Sequence, residues 1–207
     1  MFTKKEIAWL IIAVLIFGFI IGFSEKPRYS PLVFLIAFIV IFVNVLAKKT
    51  ASGLYSIKIE HKPWEFQRYG LYERAHLKKL FPIGLILPFL FSLLSLGIIK
   101  IMIFLQFNAE NILEKRLLRK RGLERRTEIN ESDLGITSAW GFYSLLILAI
   151  IGILFNFPEL SKYAIYYGLW NLIPISNIDG SKVFFGSFAN WILLAIIYII
   201  SLVFVIL

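Results

Sequence analysis

The chain has 207 residues, of which 59% are hydrophobic, and its mean hydropathy is +0.80. This composition is too apolar for an ordinary soluble domain. There is no cysteine, which excludes disulfides, thiolate metal sites and cysteine nucleophiles. The net charge of +9 could indicate nucleic-acid binding, but in a membrane chain basic loops reflect topology and anionic headgroups. We therefore expect the lipid bilayer as a partner and no nucleic acid.

Long uncharged runs predict helices that cross a membrane. They cover residues 7–23, 30–47, 81–99, 134–158, 163–178 and 183–207. A bilayer core of about 30 Å takes about 20 apolar residues per helix, so most of these runs are long enough. We predict a single α-helical membrane domain over residues 1–207, with about five transmembrane helices. The first run is read as a retained helix because bulky Phe23 and acidic Glu25 follow it, unlike a signal-peptide cleavage site.

The basic residues predict how the chain is threaded. Residues 48–79 carry eight lysines and arginines, and residues 108–138 carry seven. Because positive loops stay on the cytoplasmic side, the run between them, residues 81–107, is predicted to enter and leave by the same face. The other possibility, that this run spans the membrane, stays open. The result is a multi-pass cell-membrane protein with a cytoplasmic N-terminus and with Asp179 near the cytoplasmic face.

Two shorter elements are predicted outside the apolar runs. Residues 54–60 alternate in polarity and are rich in strand formers, which is typical of a half-buried strand. Residues 108–133 form a charged cytoplasmic loop. Within it, residues 111–126 place isoleucine and leucine among the charges and predict an amphipathic helix on the headgroups.

A polar island at residues 171–182 interrupts the apolar sequence. An aspartate at the edge of an apolar helix is costly and usually marks a site, and Asp179 is such a residue. Pro174 is expected to kink or end the preceding helix, Asn171 to satisfy a carbonyl that Pro174 frees, and Gly180 to permit a tight turn. The alternative is that Asp179 only caps the last helix and pairs with Lys182.

The spacing of Asn171, Pro174, Asp179 and Gly180 resembles the Asn-x-x-Pro-x-x-x-x-Asp-Gly signature of the site-2 proteases, a family of intramembrane zinc metalloproteases. The continuation of this motif is similar to archaeal members, and residues 81–97 resemble that group's re-entrant segment. The resemblance covers about residues 30–190. It implies a site-2-protease-like core in which Asp179 occupies the position of a zinc ligand.

The family's other motif, His-Glu-x-x-His, does not occur in the chain. Family members carry it about a dozen residues before a glycine that opens a strand, and Gly53 is the candidate for that glycine. Counting back places the histidine positions at Ile41 and Val45 and the glutamate position at Phe42, within the run Ile41-Phe42-Val43-Asn44-Val45. A catalytic zinc site usually needs three protein ligands. We therefore predict no catalytic residue and no bound metal or other cofactor.

Three functions remain open on this reading. The first is an inactive pseudoprotease that binds or regulates a partner such as another membrane protein. The second is an active metalloprotease that takes its missing zinc ligands from His61 and His76, although their separation of fifteen residues is not the i, i+4 spacing of a helical ligand pair. The third is a small transporter or channel component that uses Lys100 and Asp179 as intramembrane charges.

Overall fold

The computed structural model describes residues 2–24, 31–68, 76–112 and 129–206. Its helices are α1 (Lys4–Ser24), α2 (Pro31–Leu54), α3 (Ile83–Leu94), α4 (Glu131–Leu154), α5 (Pro158–Leu172), α6 (Asp179–Gly186) and α7 (Phe188–Ile206). Its strands are β1 (Ile57–Pro63), β2 (Phe66–Arg68), β3 (His76–Phe81) and β4 (Leu105–Asn111). Strand β1 pairs with β4 and β2 pairs with β3, both antiparallel.

Four helices of the described residues are long and apolar enough to cross a membrane, namely α1, α2, α4 and α7. This establishes the multi-pass membrane class by length and composition. Helix α5 has 15 residues, which is below the roughly 17 residues that a single crossing requires. The fifth crossing, predicted over residues 163–178, is therefore carried by a shorter helix than expected and stays a prediction.

The helices pack around one apolar core. Helix α4 lies at the centre of the described bundle, in contact with α2, α5 and α6, while α1 packs on α2 and α7 packs on α5. Aromatic rings fill the space between them: Phe17 of α1 stacks on Tyr167 of α5 at 5.6 Å, and Phe104 packs on the same tyrosine at 6.2 Å. The Tyr198 hydroxyl of α7 donates to the Phe142 carbonyl at 2.9 Å. This bond satisfies a buried polar group inside apolar packing.

Residues 81–107 fold back on themselves. Helix α3 ends in a reversal at Leu96 and Gly97, whose φ angles are 52° and 83°, and the chain returns to β4. At the base of the segment, the Trp64 carbonyl accepts a hydrogen bond from the Gly84 N–H and the Trp64 N–H donates to the Phe104 carbonyl, both at 2.9 Å. The two ends of the segment therefore lie side by side. The direction of the chain agrees with the predicted re-entrant path, and its depth in a bilayer stays a prediction.

The strand predicted at residues 54–60 begins later than expected. Gly53 is still in the last turn of α2, Ser56 makes a turn with a φ of 57°, and β1 starts at Ile57. Strand β1 alternates buried and more exposed residues, as predicted for a half-buried strand. Its partner β4 is the return leg of the folded-back segment, with His61 opposite Phe107.

The last apolar run is two helices rather than one. Helix α6 ends at Gly186, Ser187 is extended with a φ of −163° and a ψ of 96°, and α7 begins at Phe188. The Ser187 hydroxyl accepts a hydrogen bond from the Asn190 N–H at 3.4 Å, so this serine caps the second helix. The amphipathic helix predicted for residues 111–126 lies almost entirely in 113–128, outside the described residues.

The fold-back generates a crosslinking prediction. Lys58 and Glu110 are opposite each other in the β1–β4 register and form an exposed ion pair at 3.1 Å. Opposite residues of an antiparallel pair have Cα atoms about 4.5–5.5 Å apart, within disulfide range. Because the chain has no cysteine of its own, the variant Lys58→Cys with Glu110→Cys should form an internal disulfide on mild oxidation, seen as a mobility shift that reductant reverses.

The matched control moves one cysteine two residues along β4. Lys58→Cys with Asn108→Cys places the pair on a diagonal of the same strands, where crosslinking should be much weaker. Equal crosslinking of the two variants would contradict the register. Absence of crosslinking in both would contradict the fold-back.

Candidate functional site

Asp179 forms a buried ion pair with Lys48. The aspartate is the first residue of α6, and its Oδ2 lies 2.5 Å from the Nζ of Lys48 on α2. The two side chains are only 4% and 2% exposed. Two buried charges of opposite sign stabilise each other where either one alone would be strongly unfavourable. The carboxylate also lies at a helix N-terminus, where the backbone dipole favours negative charge.

Lys182 lies beside the pair but does not replace Lys48 in it. Its Nζ donates to the Phe107 carbonyl at 2.8 Å and lies 3.3 Å from the centroid of the Phe107 ring. Burial lowers the pKa of Lys182 to about 7, although the negative charge of Asp179 acts in the opposite direction. The alternative in which Asp179 pairs with Lys182 and caps the last helix is therefore wrong. Asp179 pairs with Lys48, and it opens α6 rather than α7.

The charges around Asp179 keep it ionised. Burial acts to raise the pKa of Asp179, but the positive charges of Lys48 and Lys182 and the hydrogen bond from Lys48 outweigh it and hold the pKa below 3.8. Its second oxygen, Oδ1, is buried and accepts no hydrogen bond from the described residues. The carboxylate is thus charged at neutral pH, with one oxygen in the ion pair and one unpaired.

Helix α2 presents two polar residues to the site, Asn44 and Lys48. They lie one turn apart on its buried face. A glycine on α4 makes room for both. A Cβ atom on Gly141 would lie 2.8 Å from the Asn44 Nδ2 and 3.0 Å from the Lys48 Cγ, so any side chain there would displace one of them. The Asn44 Oδ1, like the Asp179 Oδ1, has no hydrogen-bond partner among the described residues.

The positions inferred by counting back from Gly53 do not include Lys48, the residue on α2 that pairs with Asp179. Ile41 and Val45 are buried in the apolar core, while Phe42 is 39% exposed and stacks on Phe38 at 5.3 Å. Ile41 is seven residues before Lys48, about 10 Å along the helix axis. The expectation that these apolar residues face the aspartate therefore has to be corrected, since Lys48 occupies that place. The count assumed that Gly53 opens the strand, whereas Gly53 is still helical.

A second buried network lies at the same end of the bundle. The Glu6 Oε1 accepts hydrogen bonds from the His61 N–H at 3.0 Å and lies 2.9 Å from the His61 Nδ1, while its Oε2 pairs with the Lys49 Nζ at 2.7 Å. Glu6 and His61 are each 1% exposed. The glutamate thereby connects α1 to both α2 and β1.

Glu6 also takes part in capping the start of α1. The Glu6 N–H donates to the Thr3 hydroxyl at 3.2 Å, and the Thr3 N–H donates to the Glu6 Oε2 at 3.4 Å. This reciprocal pair is a capping box, which satisfies two of the free N–H groups at a helix start. The Thr3 hydroxyl donates in turn to the Glu60 Oε1 at 2.6 Å. The start of α1 is therefore fixed to β1 as well as capped.

His61 is buried in its neutral form. Burial lowers the pKa of His61 to about 4, and the charge of Lys48 adds to this effect, while the bond to Glu6 opposes it. The Nδ1 of the ring faces Glu6. The other ring nitrogen, Nε2, is buried and has no hydrogen-bond partner among the described residues. His61 is therefore a buried residue and not a surface histidine. The side chain of His76 lies outside the described residues.

The remaining residues of the motif have different tasks from those expected. Helix α5 ends at Leu172, as predicted from Pro174. The Asn171 amide donates to the Met102 and Tyr167 carbonyls at 3.0 and 2.8 Å, because a helical side chain points back towards the N-terminus. It therefore links α5 to the folded-back segment instead of satisfying a carbonyl freed by Pro174.

Gly180 is required for close packing rather than for a turn. It lies inside α6, and a Cβ there would lie 2.7 Å from the Asn171 carbonyl oxygen. Without this glycine the start of α6 could not approach the end of α5. This close approach brings Asp179 into the bundle, so the position of Asp179 depends on the glycine that follows it.

Among the described residues there is no group of three histidine, cysteine, aspartate or glutamate side chains placed to hold a metal ion. Lys100, the other intramembrane charge considered for transport, donates to the Tyr163 hydroxyl at 3.4 Å. This tyrosine lies on α5 and is distinct from the ion pair of Asp179.

Comparisons with protein families, with curated proteins and with solved structures found no match to this chain. Its function is therefore inferred from the residues and the geometry of the site.

The ion pair predicts strong coupling between Lys48 and Asp179. Replacing Lys48 by Met should destabilise the protein by about 3–5 kcal/mol, because an uncompensated buried carboxylate remains; Asp179→Leu should cost a similar amount. The double variant should recover most of this loss, because neither charge is then buried alone. Unfolding in detergent of the four proteins measures the coupling, and additive losses would contradict the pair.

Neutral burial of His61 predicts a loss of stability in mild acid. The pKa of His61 is about 4 in the folded state and 6.5 in the unfolded state, so between these values the unfolded chain binds more protons. Stability should fall by up to about 1.4 kcal/mol per pH unit from pH 6.5 towards pH 4. The Asp179 carboxylate affects stability only in stronger acid, below pH 3.8, where protonation removes its stabilising charge. Unfolding curves should show a flatter pH dependence for His61→Asn than for the wild type, and equal dependences would contradict the neutral burial of His61.

Proposed function

We propose that this chain is a catalytically inactive relative of the site-2 proteases that acts as a binding or regulatory protein in the membrane. The observation that carries the proposal is the Lys48–Asp179 ion pair. At the carboxylate that would ligate zinc in the family, an ammonium group lies 2.5 Å away and is buried with it. Lysine thus supplies the positive charge that a metal would otherwise supply.

The spacing on α2 supports this reading. Asn44, Val45 and Lys48 have the same relative positions as the first histidine, the glutamate and the second histidine of His-Glu-x-x-His. Residues at i and i+4 share one helix face, and both Asn44 and Lys48 border Gly141. We therefore assign the lost motif to residues 44–48, three residues after the position first inferred.

The electrostatics of the site disfavour a catalytic dication. Lys48 pairs directly with Asp179, and the second cation, Lys182, acts on the same carboxylate. A divalent cation at this place would face repulsion from Lys48, and from Lys182 whenever its amine is protonated, in an interior where charges are weakly screened. Val45 also removes the carboxylate that would activate a water molecule. Binding of a partner within the membrane, and not hydrolysis, is the role that this arrangement supports.

A specific observation favours one competing function, an active metalloprotease that uses His61. A metal-bound histidine usually donates its other ring N–H to a carboxylate, and the His61 Nδ1 lies 2.9 Å from the Glu6 carboxylate. The unpaired His61 Nε2 would then be a ligand. This alternative requires Lys48 to leave Asp179, and it predicts zinc in the purified wild-type protein.

Restoring the motif tests the proposal. The triple variant Asn44→His, Val45→Glu and Lys48→His should bind roughly one zinc ion per chain, because it returns two imidazoles to the face opposite Asp179. The wild-type protein should bind none. Metal analysis after purification measures both, and adding Asp179→Ala to the triple variant should remove the bound zinc.

The matched control places the same residues at the other register, Ile41→His, Phe42→Glu and Val45→His, and should not bind zinc in an Asp179-dependent way. Zinc binding by this control alone would refute the assignment to residues 44–48. Stoichiometric zinc in the wild type that is lost with His61→Ala would favour the active metalloprotease. Chelator-sensitive peptide cleavage by the wild type, abolished by Asp179→Ala, would end the proposal of an inactive protein.

A further inference from the structure

An open pocket of about 200 Å³ lies between the start of α4 and the chain that leads into α6, close to the buried ion pair. Three of its lining residues, Ser176, Asn177 and Phe185, are exposed, so the pocket opens to the surface of the bundle. The rest of its wall is formed by Glu131, Leu134, Ser181 and Lys182. The side chain of Lys182 also reaches β4, so it connects the pocket to the interior.

Among the described residues, Lys182 has no ion pair of its own. Its Nζ donates to the Phe107 carbonyl at 2.8 Å and lies 3.3 Å from the centroid of the Phe107 ring, and neither of these groups carries a charge. The carboxylate of Asp179, one turn earlier on α6, is held by Lys48. A partly buried ammonium group without a counter-ion is unfavourable. This environment therefore favours the neutral amine.

Neighbouring cations add to this effect. The Lys48 Nζ lies 5.9 Å from the centroid of the same ring that Lys182 contacts, so two ammonium groups border one ring. Burial is the main cause that lowers the pKa of Lys182 to about 7. The charges of Lys48 and Lys62 act in the same direction, and the charge of Asp179 opposes them. A desolvated lysine beside other cations is an amine that is activated as a nucleophile.

We propose that Lys182 holds small aldehydes in this pocket as a Schiff base. The amine attacks the carbonyl carbon, and a C=N bond replaces the C=O bond. The nitrogen gives up two protons, and the carbonyl oxygen takes up two and leaves as water, so the reaction needs no oxidant or reductant. The Ser181 hydroxyl borders the pocket, is buried and has no hydrogen-bond partner among the described residues, so it can donate to that oxygen. From α4, the Glu131 carboxylate borders the same pocket and can accept a proton from the nitrogen.

The volume of the pocket limits the aldehyde to a small one. Pockets for drug-sized ligands measure about 300–1,000 Å³, so a volume of about 200 Å³ admits an aldehyde with only a short carbon chain. This chain would contact Leu134 and Phe185, the two apolar residues of the wall. The site does not depend on the proposed ancestry of the protein, and it would stand if the protein proved to be an active protease.

Reductive trapping of the full chain in detergent tests the site. Butanal is added at pH 7 with cyanoborohydride, which reduces a Schiff base to a stable amine, and peptide mass spectrometry measures the labelling rate of each lysine. Lys182 should be labelled more than about tenfold faster than exposed Lys5, because an ordinary lysine is neutral in only about one molecule in 2,500 at this pH. The ratio of the two rates should fall as the pH rises from 7 to 10, where ordinary lysines lose their proton. Equal rates at pH 7, or a ratio that does not change with pH, would overturn the proposal.

Matched variants and a larger aldehyde test the pocket itself. Lys182→Arg keeps a positive charge and should abolish the fast phase of labelling, whereas Lys5→Arg should keep it. Asn177→Trp narrows the pocket and should slow labelling of Lys182, while Ile196→Trp, at a 52% exposed position on α7, should not. Pyrenecarbaldehyde, which is too large for the pocket, should label Lys5 but not Lys182. Labelling of Lys182 that Asn177→Trp leaves unchanged, or that is equally fast with the large aldehyde, would show an exposed lysine and no pocket, and would overturn the site.

Discussion

The ion pair between Lys48 and Asp179 is the constraint on which the centre of this bundle depends. The two residues are far apart in sequence, and each would be strongly disfavoured in an apolar interior without the other. The pair therefore fixes the end of α2 against the start of α6. Close packing at two glycines makes it possible: Gly141 leaves space beside Lys48, and Gly180 lets the start of α6 reach the end of α5. Bulk at either glycine would separate the charges.

Polar chemistry is concentrated at one end of the molecule. The Glu6 network joins the start of α1 to β1 and the end of α2, and the ion pair of Asp179 lies at that same end of α2. Lys182 closes the group through the carbonyl of Phe107 on β4. Sheet, helix ends and buried charges thus form one polar layer of the described residues, and beyond it the helices are joined mostly by apolar and aromatic contacts, with single hydrogen bonds such as Tyr198 to Phe142. The positive loops place this layer at the cytoplasmic face on our proposed topology.

The sequence predicts the coarse fold well and the contacts of the site poorly. Uncharged length was sufficient to find α1, α2, α4 and α7, because a bilayer selects helices by hydrophobic length. The break at Ser187 was missed because an apolar run contains no charge to mark it. Lys48 was missed as a site residue because it lies at the end of an apolar run and was counted as a loop charge. Its four-residue spacing from Asn44 was the available signal, since two polar residues on one face of an apolar helix indicate a buried partner.

Charge balance connects the buried pair to the proposed loss of catalysis. In the family's zinc site, a dication faces the motif aspartate and the catalytic glutamate, and the two histidines are neutral, so the formal charges cancel. In this chain Lys48 faces Asp179, and Val45 stands at the glutamate position of the proposed assignment, so the charges of the pair itself cancel. Loss of the metal with retention of both carboxylates would have left two buried negative charges, which is strongly destabilising. If the proposed relationship to the site-2 proteases holds, a lysine for one histidine together with a valine for the glutamate would remove zinc and keep the site neutral, whereas neither replacement alone would.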